Sequence, residues 1–272
     1  MTPFDYLAFP FFRHALVGVV LISICSAVIG TYVITRRLVA ISGGITHACF
    51  GGLGLGYYLG LSPLAMAGVF AIGAGLGVEW MSARFRLRQD SAIAVIWSVG
   101  MALGVLFVFL TPGYVPELNS FLFGNILTIT SADLTAFAAF AVIMGLFFIL
   151  RFRTIVICAF DPDFATVAGL PVKFISYAMS ILVALCIVLT IKLVGVMLLM
   201  SMFSLPILTA EIFYHRYSSI MTASVIISLL CCVSGLLLST LADVPCSAII
   251  VLIMAALFAA CRLLRALTQQ SR

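Results

Sequence analysis

Charge is what this sequence has least of. Only 8% of its 272 residues are charged, against 64% hydrophobic, and the mean hydropathy is +1.31. A water-soluble domain usually carries about a quarter charged residues, so this chain has too little polar surface to cover itself in water. The bilayer is its solvent. Signatures of chemistry are also missing. The eight cysteines include no C-x-x-C and lie mostly in apolar runs, where they read as small apolar residues rather than a disulfide framework or zinc knuckle. No G-x-x-x-x-G-K-[ST], H-E-x-x-H or G-x-S-x-G occurs, and no pair of aspartates falls in mid-span. The chain is therefore not expected to be an enzyme, and any ATP that powers it is hydrolysed by a separate polypeptide. Its formal charge of +5 is scattered in short clusters without a basic face or tail, which argues against a nucleic-acid partner. The N-terminus has no basic start and no small-residue cleavage site, and is expected to lead straight into a first span.

What is present is a series of apolar runs. A membrane-crossing helix needs roughly 20 apolar residues. Runs of that size occur at 14–35, 43–61, 63–82, 91–111, 132–150, 172–191, 194–214, 218–240 and 245–262, the second being the weakest because it is so rich in glycine. The expected fold is an all-α polytopic bundle of eight or nine spans forming one domain, 1–272. Residues 113–131 are too polar at their start to span, and suit a short or re-entrant helix. With nine spans, the N-terminus lies outside and the C-terminus inside. All but Arg13 and Lys192 of the 14 basic residues then fall on the inner side, as the preference of lysine and arginine for cytoplasmic loops requires. Arg36 and Arg37 read as anchors at the inner end of the first span.

Ionisable residues at membrane depth are costly and mark pathways by default. Four qualify. His47 lies about one turn into the second span, Glu79 near the inner end of the third, Glu211 near the inner end of the seventh, and Asp243 at the outer mouth of the last. A neutral imidazole is a ligand for zinc, iron and similar ions. Gly51 and Gly54 continue its helical face and allow close helix approach. Two roles therefore stay open for His47, a metal ligand or a histidine bonded to a neighbouring helix in a tight glycine interface. In the seventh span, "LVGVMLLMSMFSLPILTAEIF", Pro206 removes a backbone hydrogen bond from the helix interior, so a kink beside a pathway is expected, with Ser201 and Ser204 near the freed carbonyls. Met197, Met200 and Met202 suit either packing or a soft pathway lining. The inner loop 151–172 holds "FDPDFATVAGLP". There Asp161-Pro162 starts a helix, Asp163 sits in its first turn and Gly169-Leu170-Pro171 stops it. A cytoplasmic helix of about two turns is expected, either a connector or a knob that docks in a partner.

Together, "RRLVAISGGITHA" (36–48), "LFGNILTITSADL" (122–134), "FDPDFATVAGLPV" (160–172), "LVGVMLLMSMFSLPILTA" (193–210) and "GLLLSTLADVPCSAIIVL" (235–252) resemble, in order and spacing, the inner-membrane permeases of ABC importers for zinc, manganese and iron. The resemblance covers essentially the whole chain. It implies a homodimer with two cytoplasmic ATPase subunits that hold ATP and magnesium, and an extracytoplasmic metal-binding protein. It further implies a divalent metal ion as cargo, and no cofactor in this chain. The loop becomes a coupling helix, in which Asp161, Asp163, Ala165 and Gly169 match the importer pattern E-A-A-x-x-x-G in part. His47, Glu211 and Asp243 become pathway residues and Pro206 a gate. One departure stands out. Where the family stretch "RRMALIGDALSHA" carries an aspartate four residues before the histidine, this chain has Gly43. Glu211 likewise replaces a commonly found arginine, and is expected either to serve as an exit ligand or to pair with Arg216. The alternative reading of the whole chain is a secondary, ion-coupled transporter, which would need buried mid-span carboxylates and no coupling helix.

Overall fold

The structure is a computed structural model and describes residues 9–112, 124, 129–242 and 244–270. Most of the stretch read as a short or re-entrant helix at 113–131 therefore lies outside the described residues, as does Asp243. Ten helices form among the described residues: α1 (Pro10–Thr35), α2 (Val39–Leu59), α3 (Pro63–Phe85), α4 (Gln89–Leu110), α5 (Ser131–Phe160), α6 (Pro162–Val167), α7 (Val172–Met202), α8 (Leu205–Glu211), α9 (Tyr217–Ala242) and α10 (Cys246–Gln270). Eight segments are long and apolar enough to cross a membrane, so the expected all-α polytopic fold is found. In hydrocarbon every backbone N–H and C=O has to bond within its own segment, which leaves helices as the available solution. The chain divides into two compact units, Met1–Ile34 with Leu122–Val142 and Leu193–Arg272, and Thr35–Phe121 with Ile143–Lys192.

The unit containing residues 35–121 is organised around α2. This is the helix the sequence marks as weakest, yet most of it is buried. Its glycines divide between two neighbours. Gly52 and Gly56 meet the backbone of α3 at Met66–Ala67 and Pro63, and Gly51 and Gly54 meet the backbone of α4 at Gly100 and Gly104. A Cβ added to Gly100 would stand 2.5 Å from the Ala48 Cα, and one on Gly104 2.7 Å from the Phe50 carbonyl oxygen. Helices in lipid gain little from hydrophobic burial and associate through close packing instead. Glycine is what allows α2 to be gripped on both sides. Short caps set the turns. Ser62 caps α3 by accepting the Ala65 N–H at 3.4 Å with Pro63 behind it, and Gly60 ends α2 at φ 66°.

In the other unit, α1 serves as a ruler. Near its N-terminal end His14 is bonded to Ser131 at 3.5 Å, and Gly18 lies against Ile129 and Leu134. Toward its C-terminal end Gly30 lies against Phe203 and Ile207, and Ile34 joins the cluster of Ile207, Ala210 and Ile220. The chain from Phe203 to Ala210 thus advances alongside α1 in the same direction. Just before it, Gly195 adopts φ 79° and ψ 172°, with the Gly124 backbone packed against Val194 and Gly195.

This geometry sharpens two expectations. The sixth and seventh apolar runs form one 40-residue segment, Val172–Glu211, interrupted at Gly195. As straight helix it would measure about 60 Å, twice the roughly 30 Å hydrocarbon thickness. A straight helix of that length does not fit the bilayer, and the non-helical backbone at Gly195 breaks the segment within it. The second concerns Pro206. It occupies the first turn of α8, where a missing N–H costs nothing, just after the helix is interrupted at Phe203–Ser204, and Gly195 breaks the same segment a second time. Ser201 and Ser204 donate to the carbonyls of Met197 and Met200, at 3.2 and 3.0 Å, and so satisfy the end of α7.

A candidate metal subsite and an exposed inner-loop helix

His47 is half-buried on α2 and faces α4. Its Nδ1 lies 3.3 Å from Sδ of Met101. The imidazole stacks on Trp97, with ring centroids 4.4 Å apart and planes 12° from parallel, and Phe50 lies 5.8 Å away at 28°. Trp97 and Met101 are one helical turn apart on α4, so a single face of that helix supplies both contacts. Gly43, one turn before His47 on α2, is buried and contributes no side chain. Sequence reasoning missed Met101 and Trp97, because nothing local distinguishes a methionine and a tryptophan in an apolar run from ordinary packing.

Of the other residues singled out, Glu79 shares the unit of His47, Glu211 belongs to the other unit and Asp243 lies outside the described residues. Glu211 ends α8 in the other unit, half-buried, with Arg262 of α10 as an opposite charge acting on it. Among the described residues, no group of three or more His, Cys, Asp or Glu side chains is arranged to hold a metal ion. Glu79 has a different role. It is buried at 9% exposure, accepts from Ser180 Oγ at 3.2 Å and Gln89 Nε2 at 3.4 Å, and has Arg36 as its opposite charge. A buried carboxylate held by hydrogen bonds and a cation is a structural tie between α3 and α7.

Arg36 does more than anchor a span. Pro162 has no N–H, so the Cys158 carbonyl at the end of α5 loses the partner that a continuing helix would provide. Arg36 fills the gap, donating from NH1 to that carbonyl at 3.2 Å. Arg36 thus holds the point where α5 gives way to the loop that follows it.

That loop contains the expected short helix. Asp161 Oδ1 accepts the Phe164 N–H at 2.9 Å, Pro162 occupies the first turn, and the Gly169 N–H donates to Thr166 O at 3.1 Å with φ 74°. Asp163 lies in the first turn and Ala165 is fully buried. The opposite side is apolar and open, with Phe164 59% and Val167 89% exposed. Two apolar side chains held outward on a six-residue, doubly capped helix form a small rigid knob.

Comparison with known proteins agrees with the sequence and the geometry. Residues 8–265 match the model of the ABC 3 transport family. A probable metal transport system membrane protein of Chlamydia pneumoniae is 36% identical over 239 residues, covering 85% of this chain and 81% of that protein. A manganese transport system membrane protein, MntC, of Halalkalibacterium halodurans is 28% identical over 253 residues, covering 93% and 87%. The solved structure of PsaBC from Streptococcus pneumoniae, in complex with Fab, has a chain that superposes with a TM-score of 0.82 at 26% identity, covering 95% of this chain and 94% of that one. With its membrane spans, its capped inner-loop helix and a family match over nearly its whole length, the chain belongs to the ABC 3 transport family.

Proposed function

We propose that this chain is the membrane-spanning permease subunit of an ATP-driven importer of divalent transition-metal ions, working as a homodimer with two copies of a separate ATPase and an extracytoplasmic metal-binding protein. The observation that carries this reading is the inner-loop knob. A secondary transporter has no use for a capped helix with Phe164 and Val167 pointing outward, whereas a subunit driven from outside needs a rigid lever. The metal transport named for the relatives from Chlamydia and Halalkalibacterium supports the class of cargo. In this reading the knob seats in a cleft of the ATPase. ATP-driven closure pulls the knob, and through Pro162 and Arg36 the ends of α5 and α1 move with it. The spans then alternate between outward- and inward-open states, two populations whose balance the nucleotide shifts. Counting Val172–Glu211 as two passes gives nine in all, with the N-terminus outside, the C-terminus in the cytoplasm and the basic loops inside the bacterial inner membrane.

Cellular zinc, manganese and iron measured by mass spectrometry, with the permease present and depleted in metal-poor medium, test the proposal. Selective loss of one metal on depletion is expected, and unchanged contents of all three overturn the assignment of cargo. Two variants refine it. His47→Ala lowers uptake while the protein still assembles at normal levels, and wild-type uptake by that variant removes His47 from the pathway. Gly169→Arg forces a side chain onto a residue at φ 74°, at a cost of about 1–2 kcal/mol, on a surface where nothing else lies near. Its expected result is a folded permease that no longer stimulates, or no longer co-purifies with, its ATPase. Normal transport by that variant argues against the knob as the coupling element.

A further inference from the structure

Resting on the permease reading, we propose that His47 Nδ1 and Met101 Sδ form a two-ligand imidazole–thioether subsite for the crossing ion, which favours a borderline cation such as Zn²⁺ over Mn²⁺. The argument starts from the separation of the two atoms, 3.3 Å. An ion bound at about 2.1 Å from nitrogen and about 2.3 Å from sulfur would subtend an angle of about 97° at that separation, within reach of tetrahedral coordination. The pair is therefore already spaced to chelate. In the absence of an ion the thioether has no hydrogen to give, so Nδ1 is the donor and carries the proton. On binding, the neutral ring takes its other tautomer, with the proton on Nε2 and the Nδ1 lone pair on the ion. No charge is gained or lost by the protein.

The surroundings keep this pair in place. Trp97 stacks flat on the imidazole and Phe50 lies near it, so the ring plane is set by aromatic neighbours and its Nδ1 edge is held toward α4. The glycines that draw α2 and α4 together, Gly51 and Gly54 against Gly100 and Gly104, bring Met101 within reach of a histidine 54 residues away. The chemistry of the donors decides selectivity. Thioether and imidazole suit zinc and softer ions, whereas Mn²⁺ depends on carboxylates and water. Gly43 offers none on the turn before His47, and Glu79 is engaged with Ser180 and Gln89. Two neutral ligands per subunit also bind weakly enough to release an ion in transit, and the remaining coordination sites stay open to water.

The test uses cells that lack their own high-affinity uptake and express the permease with its ATPase and binding protein, supplied with radiolabelled zinc or manganese. Met101→Leu keeps size and apolarity, a swap cores tolerate well, and removes only the sulfur. Met101→Gln keeps the length and replaces a soft donor with a hard amide oxygen. Met101→Leu is expected to lower zinc uptake about tenfold, the effect of losing about 1.4 kcal/mol of ligand binding. Met101→Gln shifts the zinc-to-manganese preference toward manganese, a change that a purely structural methionine would not produce. If the wild type moves either metal and both variants, present at normal membrane levels, keep its rates and preference, the subsite is overturned and the permease reading stands. If the wild type moves neither zinc nor manganese and radiolabelled iron does not enter either, the permease reading fails and the subsite with it. Uptake of iron alone overturns the subsite and leaves the permease reading standing. Should Met101→Leu not accumulate in the membrane, the Met101→Gln preference alone decides between these results.

Discussion

Replacing Gly100 by leucine leaves little folded protein in the membrane. The position where a Cβ would stand is 2.5 Å from the Ala48 Cα, 3.1 Å from its Cβ and 3.2 Å from its backbone nitrogen. These are backbone atoms and a methyl of a buried helix, with no flexible side-chain end to swing aside. Inserting bulk into a packed interior typically costs about 1–3 kcal/mol, and an isobutyl group between two helix backbones belongs at or beyond the upper end of that range. Either α4 is pushed away from α2, which separates Met101 from His47, or the pair does not form. Detergent-solubilised protein is expected to show a large fall in monodisperse yield and in thermal stability. Gly73 on α3, where nothing lies within 4 Å of the added Cβ, supplies the control, since Gly73→Ala is expected to behave as wild type. Equal stability of Gly100→Leu and the wild type refutes the close α2–α4 packing.

The second large effect is expected at Gly195. Its φ of 79° with ψ 172° lies in a region of backbone space that is essentially closed to other residues, with strain on the order of 1–3 kcal/mol. The Gly124 backbone also packs directly on Val194 and Gly195, so this break is held by a close backbone neighbour. Gly195→Leu should remove the break in Val172–Glu211 and give protein that is degraded or aggregates on extraction. Accessibility labelling of single cysteines placed at the start and end of that segment, in a cysteine-free background, measures the result directly. Both ends label from the same side if the segment goes out and back. Labelling from opposite sides in the wild type would mean a single pass and remove the special role of Gly195.

How much of this was legible beforehand differs from element to element. The capped inner-loop helix was fully readable, because Asp161, Pro162 and Gly169 act within four residues of themselves through backbone geometry. The glycines of α2 correctly announced close packing, but the identity of the partners was not there to be read, since Gly100 and Gly104 carry no sign of what they face. Pro206 misled. A proline inside an apolar run looks like a kink until the helix is seen to restart one residue before it, with Ser204 as the boundary. Arg36 was read as an anchor. Its bond to the Cys158 carbonyl depends on a partner 122 residues away.

By itself the sequence determined the solvent, the helical class, the approximate spans and the capped loop helix. Hydrocarbon permits only helices with internally paired backbones, and charges, caps and prolines act over a few residues, so these features are written locally. Only the tertiary structure decided which helix faces which, where the long apolar segment breaks, and that a methionine rather than a carboxylate stands beside His47. Inside a membrane almost every side chain is apolar, and hydrophobicity alone gives a helix no preferred neighbour. Partnership is settled instead by how closely two surfaces fit, and that fit exists only once the chain has folded.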